Sequence, residues 1–398
     1  MTNYKVRCLR RDELEDMITL TSTAYNADAQ TFRRIYEHDP FYDFGLTLVA
    51  DMDGKLVSYL RAAPRTIWIG SSQLRMGGIA EVCTLQPYRR MGIATHLLKD
   101  MIHLMIRKGF PVSMLYGRDT FYRTVGYERA MVVHWLRVPT KILPGYAESG
   151  NVREFEPGDL PAVMSAYDLT YGHRSCTMLR NELHWKVRIL GRARVRVYDK
   201  GGVHGYLAYN LREEKTDDGT RRILSVEEAG FDGPQAIRGL IGDLGHFQDC
   251  EFVAYGGPPQ DELLSALSIP GSSVSVGLSG MFRVNDVMST LKSLRGEFRR
   301  FRGTLALKVR DDVIEGNNDT FTIARSGGKV GVERGQPDRK CEWLEVDIRE
   351  LSQMVPGTLP LHHLASLGKL RFSSTKALDR AQRLFPDRSP LQPSLDHF

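Results

Sequence analysis

Pro87-Tyr88-Arg89-Arg90-Met91-Gly92-Ile93-Ala94, and later Phe121-Tyr122-Arg123-Thr124-Val125-Gly126-Tyr127, are the two stretches on which the reading of this chain turns. The first is an arginine-rich turn that leads into a helix. Such a turn presents free backbone N–H groups and the positive end of the helix dipole, which together form an anion site. Gly92 and Ala94 are small enough to let a phosphate approach the backbone, and Arg89 and Arg90 supply charge. The second stretch is an apolar, aromatic turn able to hold a proton donor, with Tyr122 the candidate and Phe121 and Tyr127 read as core aromatics.

Working outward, Leu46–Ala50, Leu56–Ile69 and Leu74–Leu85 read as an antiparallel meander with turns at Asp53-Gly54 and Ser71-Ser72. From Met91 to Lys108 the period changes, placing Ile93, Leu97, Leu98, Met101, Ile102 and Met105 on one face before Gly109 stops the helix. Val112–Tyr116 follows as a buried strand. The same order recurs as strands at Val203–Leu211 and Arg222–Ala229, a helix at Pro234–Phe247 and a strand at Glu251–Tyr255. Here Gly233-Pro234-Gln235-Ala236-Ile237-Arg238 replaces the phosphate turn, so this copy is degenerate. A third region has strands at Thr304–Val309, Thr320–Ala324, Val330–Glu333 and Trp343–Val346, with Gly327-Gly328 as a turn. Asp347 and Glu350 predict a capping box for a helix over Ile348–Met354, and Thr375–Phe385 is a last helix ended by Pro386. The expected architecture is α/β (α+β), with domains at 1–145, 146–295 and 296–398.

With 398 residues, 42% hydrophobic and 26% charged, the chain has the size for more than one core. Its apolar runs are short, and Met1-Thr2-Asn3-Tyr4-Lys5-Val6-Arg7 lacks the apolar core of a signal peptide, so a soluble, cytoplasmic protein with no membrane partner is expected. Cys8, Cys83, Cys176, Cys250 and Cys341 are far apart and form no CxxC, which predicts reduced thiols and no zinc site. The net charge of +6 is spread along the chain without a base-reading motif. No nucleic-acid partner is expected, and the phosphates of a polyanionic co-substrate account for the basic turn.

The pattern Arg/Gln-x-x-Gly-x-Gly/Ala in Arg89–Ala94, set between a strand meander and an amphipathic helix, resembles the acetyl-CoA fingerprint of the GNAT acyltransferases. The resemblance implies acetyl-CoA as co-substrate, with Arg89, Arg90, Met91, Gly92, Ile93, Ala94 and Thr95 at its phosphates. On a gap-free alignment, Val82, Cys83 and Thr84 offer their backbone to the pantetheine arm and thioester carbonyl; the proline sits one position later than the common pattern places it. Acetyl transfer to an amine needs an uncharged nucleophile, polarisation of the thioester oxygen and protonation of the departing thiolate. Family members carry Phe-Tyr-x-x-x-Gly-Tyr/Phe where this chain has Phe121–Tyr127, with the tyrosine hydroxyl beside the sulfur, which implies Tyr122 as the acid.

The whole layout is similar to the Eis (enhanced intracellular survival) acetyltransferases: an N-terminal GNAT domain, a degenerate central one and a C-terminal domain like sterol carrier protein. That resemblance implies Tyr122 as general acid and the carboxylate of Phe398 as general base, direct transfer without an acyl-enzyme, multi-amine acceptors such as aminoglycosides, and a homohexamer. The thirteen residues from Pro386 to Phe398, extended at about 3.3 Å each, reach about 40 Å, enough to cross a domain. An α-carboxyl titrates ordinarily near about 3.5, so as a base it needs desolvation or a neighbouring tyrosine. Arg123-Thr124-Val125 departs from the Gly-Arg-Phe of relatives, which moves a steadying arginine to Arg123 or Arg118. Two rival readings are a protein or peptide lysine N-acetyltransferase and a non-enzymatic lipid carrier. Gly239, Gly242 and Gly245 lie at helical spacing and read as close packing, and His362-His363 lacks metal-ligand spacing. Asp28, Tyr36, Glu37, Asp39, Phe41 and Tyr42 read equally as the wall of a cationic-substrate pocket or as a solvated helix end.

Overall fold

The computed structural model describes residues 4–39, 41–217, 219–337 and 341–398; Met1-Thr2-Asn3, quoted above, lie outside them. Contacts group the chain into two compact units: residues to Ala130, 280–388 and Phe398 in one, and 131–279 with 389–397 in the other. The stretches expected as first and third domains therefore fall largely within one unit.

In the first unit, β1 (Lys5–Cys8), β2 (Thr47–Met52), β3 (Lys55–Ile69) and β4 (Ser72–Thr84) pair antiparallel in that order, and β5 (Val112–Leu115) joins β4 in parallel. Asp53 and Gly54 turn β2 into β3 with both φ angles positive, at 52° and 85°, as a tight hairpin of this hand requires. Successive side chains of a strand face opposite ways, so Val49, Tyr59 and Cys83 pack under α1 (Leu14–Tyr25) and α2 (Ala29–His38). Leu48, Ala50, Leu60, Ala62 and Ile79 meet α3 (Ile93–Arg107) on the other face. The predicted apolar stripe of α3 is fully buried there, each large side chain contributing about 2 kcal/mol relative to exposure. The helix begins at Ile93 rather than Met91 because Arg90 and Gly92 hold left-handed φ values of 65° and 78°. After β5 come the single turn α4 (Asp119–Tyr122) and a 3₁₀ turn at Arg123–Val125.

The second unit contains β6 (Glu128–Pro139), most of which lies beyond Ala130, with β7 (Val152–Glu154), β8 (Arg194–Asp199), β9 (Val203–Thr216), β10 (Gly219–Phe231) and β11 (Phe252–Gly257), in the order β6-β11-β10-β9-β8-β7. Its helices are α5 (Leu160–Tyr171), α6 (Glu182–His184), α7 (Pro234–Leu244) and α8 (Glu262–Leu267). Hairpin β9–β10, helix α7 and parallel strand β11 repeat the order β3–β4, α3, β5, which is the predicted internal copy. The hairpin runs past its predicted ends, since Arg212–Thr216 and Gly219–Arg222 keep the ladder while facing solvent. A Cβ at Gly239 would stand 2.3 Å from the Tyr198 ring and one at Gly242 2.9 Å from Ser149, so both glycines serve packing.

The chain returns to the first unit through β12 (Ser273–Val284), whose Met281–Val284 pair antiparallel with β5 on the edge away from β4. After α9 (Val287–Ser293), a five-stranded sheet follows: β13 (Thr304–Arg310), β14 (Asp319–Ser326), β15 (Lys329–Arg334), β16 (Glu342–Asp347) and β17 (Arg371–Phe372), ordered β15-β14-β13-β16-β17. Helices α10 (Ile348–Met354), α11 (Leu361–Ser366) and α12 (Thr375–Leu384) accompany it. Asp347 caps α10 through the Arg349 N–H at 3.0 Å, but the expected capping box does not close: Glu350 turns toward Lys369, 3.9 Å away.

Candidate active site

β4 ends at Thr84, Pro87 sits in a 3₁₀ turn at Gln86–Tyr88, and the chain then bends through Arg90 and Gly92 into α3. A Cβ at Gly92 would meet open space, so the demand for glycine there is one of backbone conformation. No side chain among the described residues caps α3, and the first intrahelical bond is from His96 N–H to the Gly92 carbonyl at 3.0 Å. The N–H groups of Ile93, Ala94 and Thr95 therefore stand open at the positive end of a fifteen-residue helix. Met91 and Gly92 are exposed beside them, and the Arg90 guanidinium, also exposed, has no ion pair or hydrogen bond among the described residues. Arg89 behaves differently. It donates to the carbonyls of Thr84 (3.0 Å) and Ala24 (3.2 Å), clasping the end of α1 to the end of β4.

Beyond the turn, the two parallel strands part. β4 pairs with β5 only over Met76–Ile79, while its edge with β3 continues to Thr84. The register with β3 slips between Tyr59–Cys83 and Arg61–Ala80, and Glu81 takes a left-handed φ of 53°. A bulge of this kind bends its strand, and Ala80–Thr84 are left without a partner on the β5 side. Of the three predicted backbone contributors, Val82 has its carbonyl bonded by the Tyr25 hydroxyl at 3.1 Å, and Cys83 gives its carbonyl to Ser58 at 2.7 Å. Thr84 shares its hydroxyl with Ser58 at 2.9 Å. Burial pushes the Cys83 thiol well above its ordinary range, keeping it protonated and inert.

Tyr122 closes α4, its N–H bonded to the Arg118 carbonyl at 3.2 Å. Its ring packs edge-on against Phe121 (4.9 Å between centroids) and Tyr127 (6.2 Å). A Cβ at Gly117 would fall 2.2 Å from that ring. Burial pushes the phenol up to about 12, so it holds its proton at neutral pH, and the hydroxyl makes no hydrogen bond among the described residues. Tyr127, by contrast, spends its hydroxyl on Ser113 at 2.7 Å in the core. Phe398 lies over β4: a Cβ at Gly78 would stand 2.4 Å from its ring, and the Tyr116 ring is 6.1 Å away, centroid to centroid. The last residue and the candidate acid thus rest on consecutive positions, Tyr116 and Gly117, where the chain leaves β5. Arg118 beside them is exposed with no side-chain partner among the described residues, whereas Arg123 is paired with Glu128 at 3.1 Å.

A buried polar cluster next to the bulge was not anticipated. Arg61 donates twice to Glu81, at 2.7 and 3.0 Å, the Tyr36 hydroxyl reaches the same carboxylate at 3.3 Å, and Asp39 lies 3.7 Å from Arg61 and 3.8 Å from Arg65. Tyr42 and Phe41 cover the two guanidinia. The acidic and aromatic set singled out above is therefore divided: Tyr36 and Asp39 are interior, Asp28 caps α2 through Gln30 N–H at 3.1 Å, and Glu37 pairs with Arg33 at 3.2 Å. Two carboxylates face two guanidinia, so the cluster carries no net charge. Arg61 and Arg65 were the available signal, since an arginine at an inward position of an apolar strand needs a buried partner.

The chain matches the model of an acetyltransferase (GNAT) domain over residues 5–130 and that of a sterol carrier protein domain over residues 291–393. It is 27% identical over 117 residues to an N-alpha-acetyltransferase of Sulfolobus acidocaldarius, a match covering 26% of this chain and 62% of that protein. Among solved structures, a GCN5-related N-acetyltransferase from Anabaena variabilis superposes with a TM-score of 0.82 at 21% identity, covering 100% of both chains. Eis1 from Mycobacterium abscessus superposes with a TM-score of 0.74 at 19% identity, covering 98% of this chain and 100% of that one. At these identities the likeness is one of fold.

Proposed function

We propose that the protein is an acetyl-CoA-dependent N-acetyltransferase of the Eis kind, acting on small molecules that carry several amines, aminoglycosides among them. The observation that carries this reading is the seating of Phe398 and Tyr122 on Tyr116 and Gly117, beside the opening of β4 from β5. The open N–H groups of Ile93, Ala94 and Thr95, with Arg90, suit a pyrophosphate, and the stretch Val82–Thr84 of β4, beyond its pairing with β5, suits an amide-bearing arm. In this mechanism the Phe398 carboxylate takes the amine proton as nitrogen attacks the thioester carbon. The tetrahedral intermediate then collapses, and Tyr122 gives its proton to the departing thiolate, yielding acetylated amine and free CoA. The Arg118 guanidinium is free to steady the anionic co-substrate. A homohexamer belongs to the same reading, by the resemblance to Eis enzymes, and so does a cytoplasmic location, from the polar start of the chain; no described helix is long and apolar enough to cross a membrane.

The test is CoA release from acetyl-CoA with a panel of aminoglycosides, polyamines and a short peptide with a free N-terminus. Turnover on multi-amine acceptors is expected, reduced about 100-fold or more in kcat by Tyr122→Phe. Turnover on the peptide alone favours the second reading, acetylation of a peptide amine, for which the match to an N-alpha-acetyltransferase speaks. No CoA release with any acceptor contradicts both.

A further inference from the structure

The second unit has a cleft of its own, built by the same device as the first. β10 and β11 pair in parallel only over Ile223–Val226 and Phe252–Tyr255, and the register of β10 with β9 slips between Val226 and Glu228. The opening holds a cavity of about 600 Å³ lined by Trp135, Arg137, Arg192, Arg212, Tyr255 and His397, among others. One side of it is the chain's own tail. The Ser394 hydroxyl bonds Glu227, and Asp396 is buried on Arg180 at 2.9 Å and His184 at 3.0 Å. With that segment in the gap and Pro234 at the start of α7, a long co-substrate of the kind suited to β4 has no track here.

What remains suits a smaller ligand. One edge of the Trp135 ring packs on Gly256, where a Cβ would come 2.6 Å from it, yet the residue stays 49% exposed. An indole held along one edge and open to the cavity is a stacking platform. Arg212 is paired with Glu227 at 2.6 Å and Arg137 with Glu214 at 2.8 Å, while the exposed Arg192 has no ion pair or hydrogen bond through its side chain among the described residues. With Arg137 and Arg212 each paired to a carboxylate, Arg192 leaves the cavity one positive charge in excess among the described residues, which favours an anion, and a guanidinium matches the fork of a phosphate. The volume far exceeds a lone anion and falls in the range of small-molecule sites.

We propose that this cleft is a second ligand site, taking a mononucleotide-sized phosphate whose flat ring lies on Trp135 and whose charge is held by Arg192. The site stands whether or not the first unit transfers acetyl groups. Equilibrium dialysis of the full chain against AMP, adenosine and inorganic phosphate tests it. Wild-type protein is expected to bind AMP saturably, and adenosine and phosphate more weakly, with Trp135→Ala and Arg192→Ala each weakening AMP by about tenfold or more. Both residues are exposed, so the variants keep their fold. Arg90→Ala, in the phosphate turn of the other unit, is expected to bind AMP as wild type does. Absence of saturable AMP binding, wild-type affinity in both cleft variants, or loss of binding in Arg90→Ala alone would overturn the assignment.

Discussion

Three glycines do different work around the candidate site. Gly92 supplies a left-handed backbone at the mouth of α3, whereas Gly78 and Gly117 leave room for the rings of Phe398 and Tyr122. The first role is legible in the motif, because the turn itself demands that conformation. The other two are not, since the ring over Gly78 arrives from the far end of the chain. Gly78 sits in regular strand, where alanine has no backbone difficulty, so Gly78→Ala is expected to keep the fold while displacing Phe398. Activity should fall about tenfold or more, with the KM for acetyl-CoA little changed and Tm within a few degrees of wild type; unchanged turnover would separate Phe398 from the chemistry. Arg89 and Arg90 teach the same lesson. As neighbours in a motif they read alike, yet the carbonyls of Thr84 and Ala24 claim Arg89, while Arg90 has no such bond among the described residues.

At the scale of elements, the strands and helices with strong apolar period were legible: β3, β4, α3 and the repeat built from β9, β10, α7 and β11. The bulges at Glu81 and Glu227 were not. Each opens a cleft by a slip of one residue in pairing, which no local pattern of polar and apolar residues records. The tail was read as extended; the structure adds a short 3₁₀ turn at Ser394–Asp396, a buried ion pair, and the entry of Leu391 and Leu395 into the core around Trp185. Burial would raise the Asp396 carboxyl, but Arg180 and His184 hold it well below the usual range, and burial drives His397 down to about 4. Between 6.5 and about 4 the unfolded chain binds a proton at His397 that the folded chain refuses. Stability conferred by the neutral ring is thus present above pH 6.5 and lost as pH falls toward 4. Urea unfolding should show a loss of about 3 kcal/mol across that window, flattened in His397→Asn. An equal loss in the variant would place the acid sensitivity elsewhere.

For the molecule as a whole, the order of parts along the chain was legible, because each part carries its own strand and helix periods. The grouping of those parts was not. Met281 of β12 pairs with Leu115 of β5, far apart along the chain, and 389–397 belong with the second unit while Phe398 belongs with the first. Only long-range pairing reveals this. It also concentrates the account on one residue, since a carboxylate at the chain terminus is moved by any addition after it while the core is left alone. The most direct measurement is CoA release from acetyl-CoA with multi-amine acceptors, comparing the chain ending at Phe398 with the same chain carrying one further glycine. The account predicts that the extended protein, with unchanged Tm, loses about 100-fold or more of its kcat. Equal turnover by the two proteins would contradict a terminal base and, with it, the proposed mechanism.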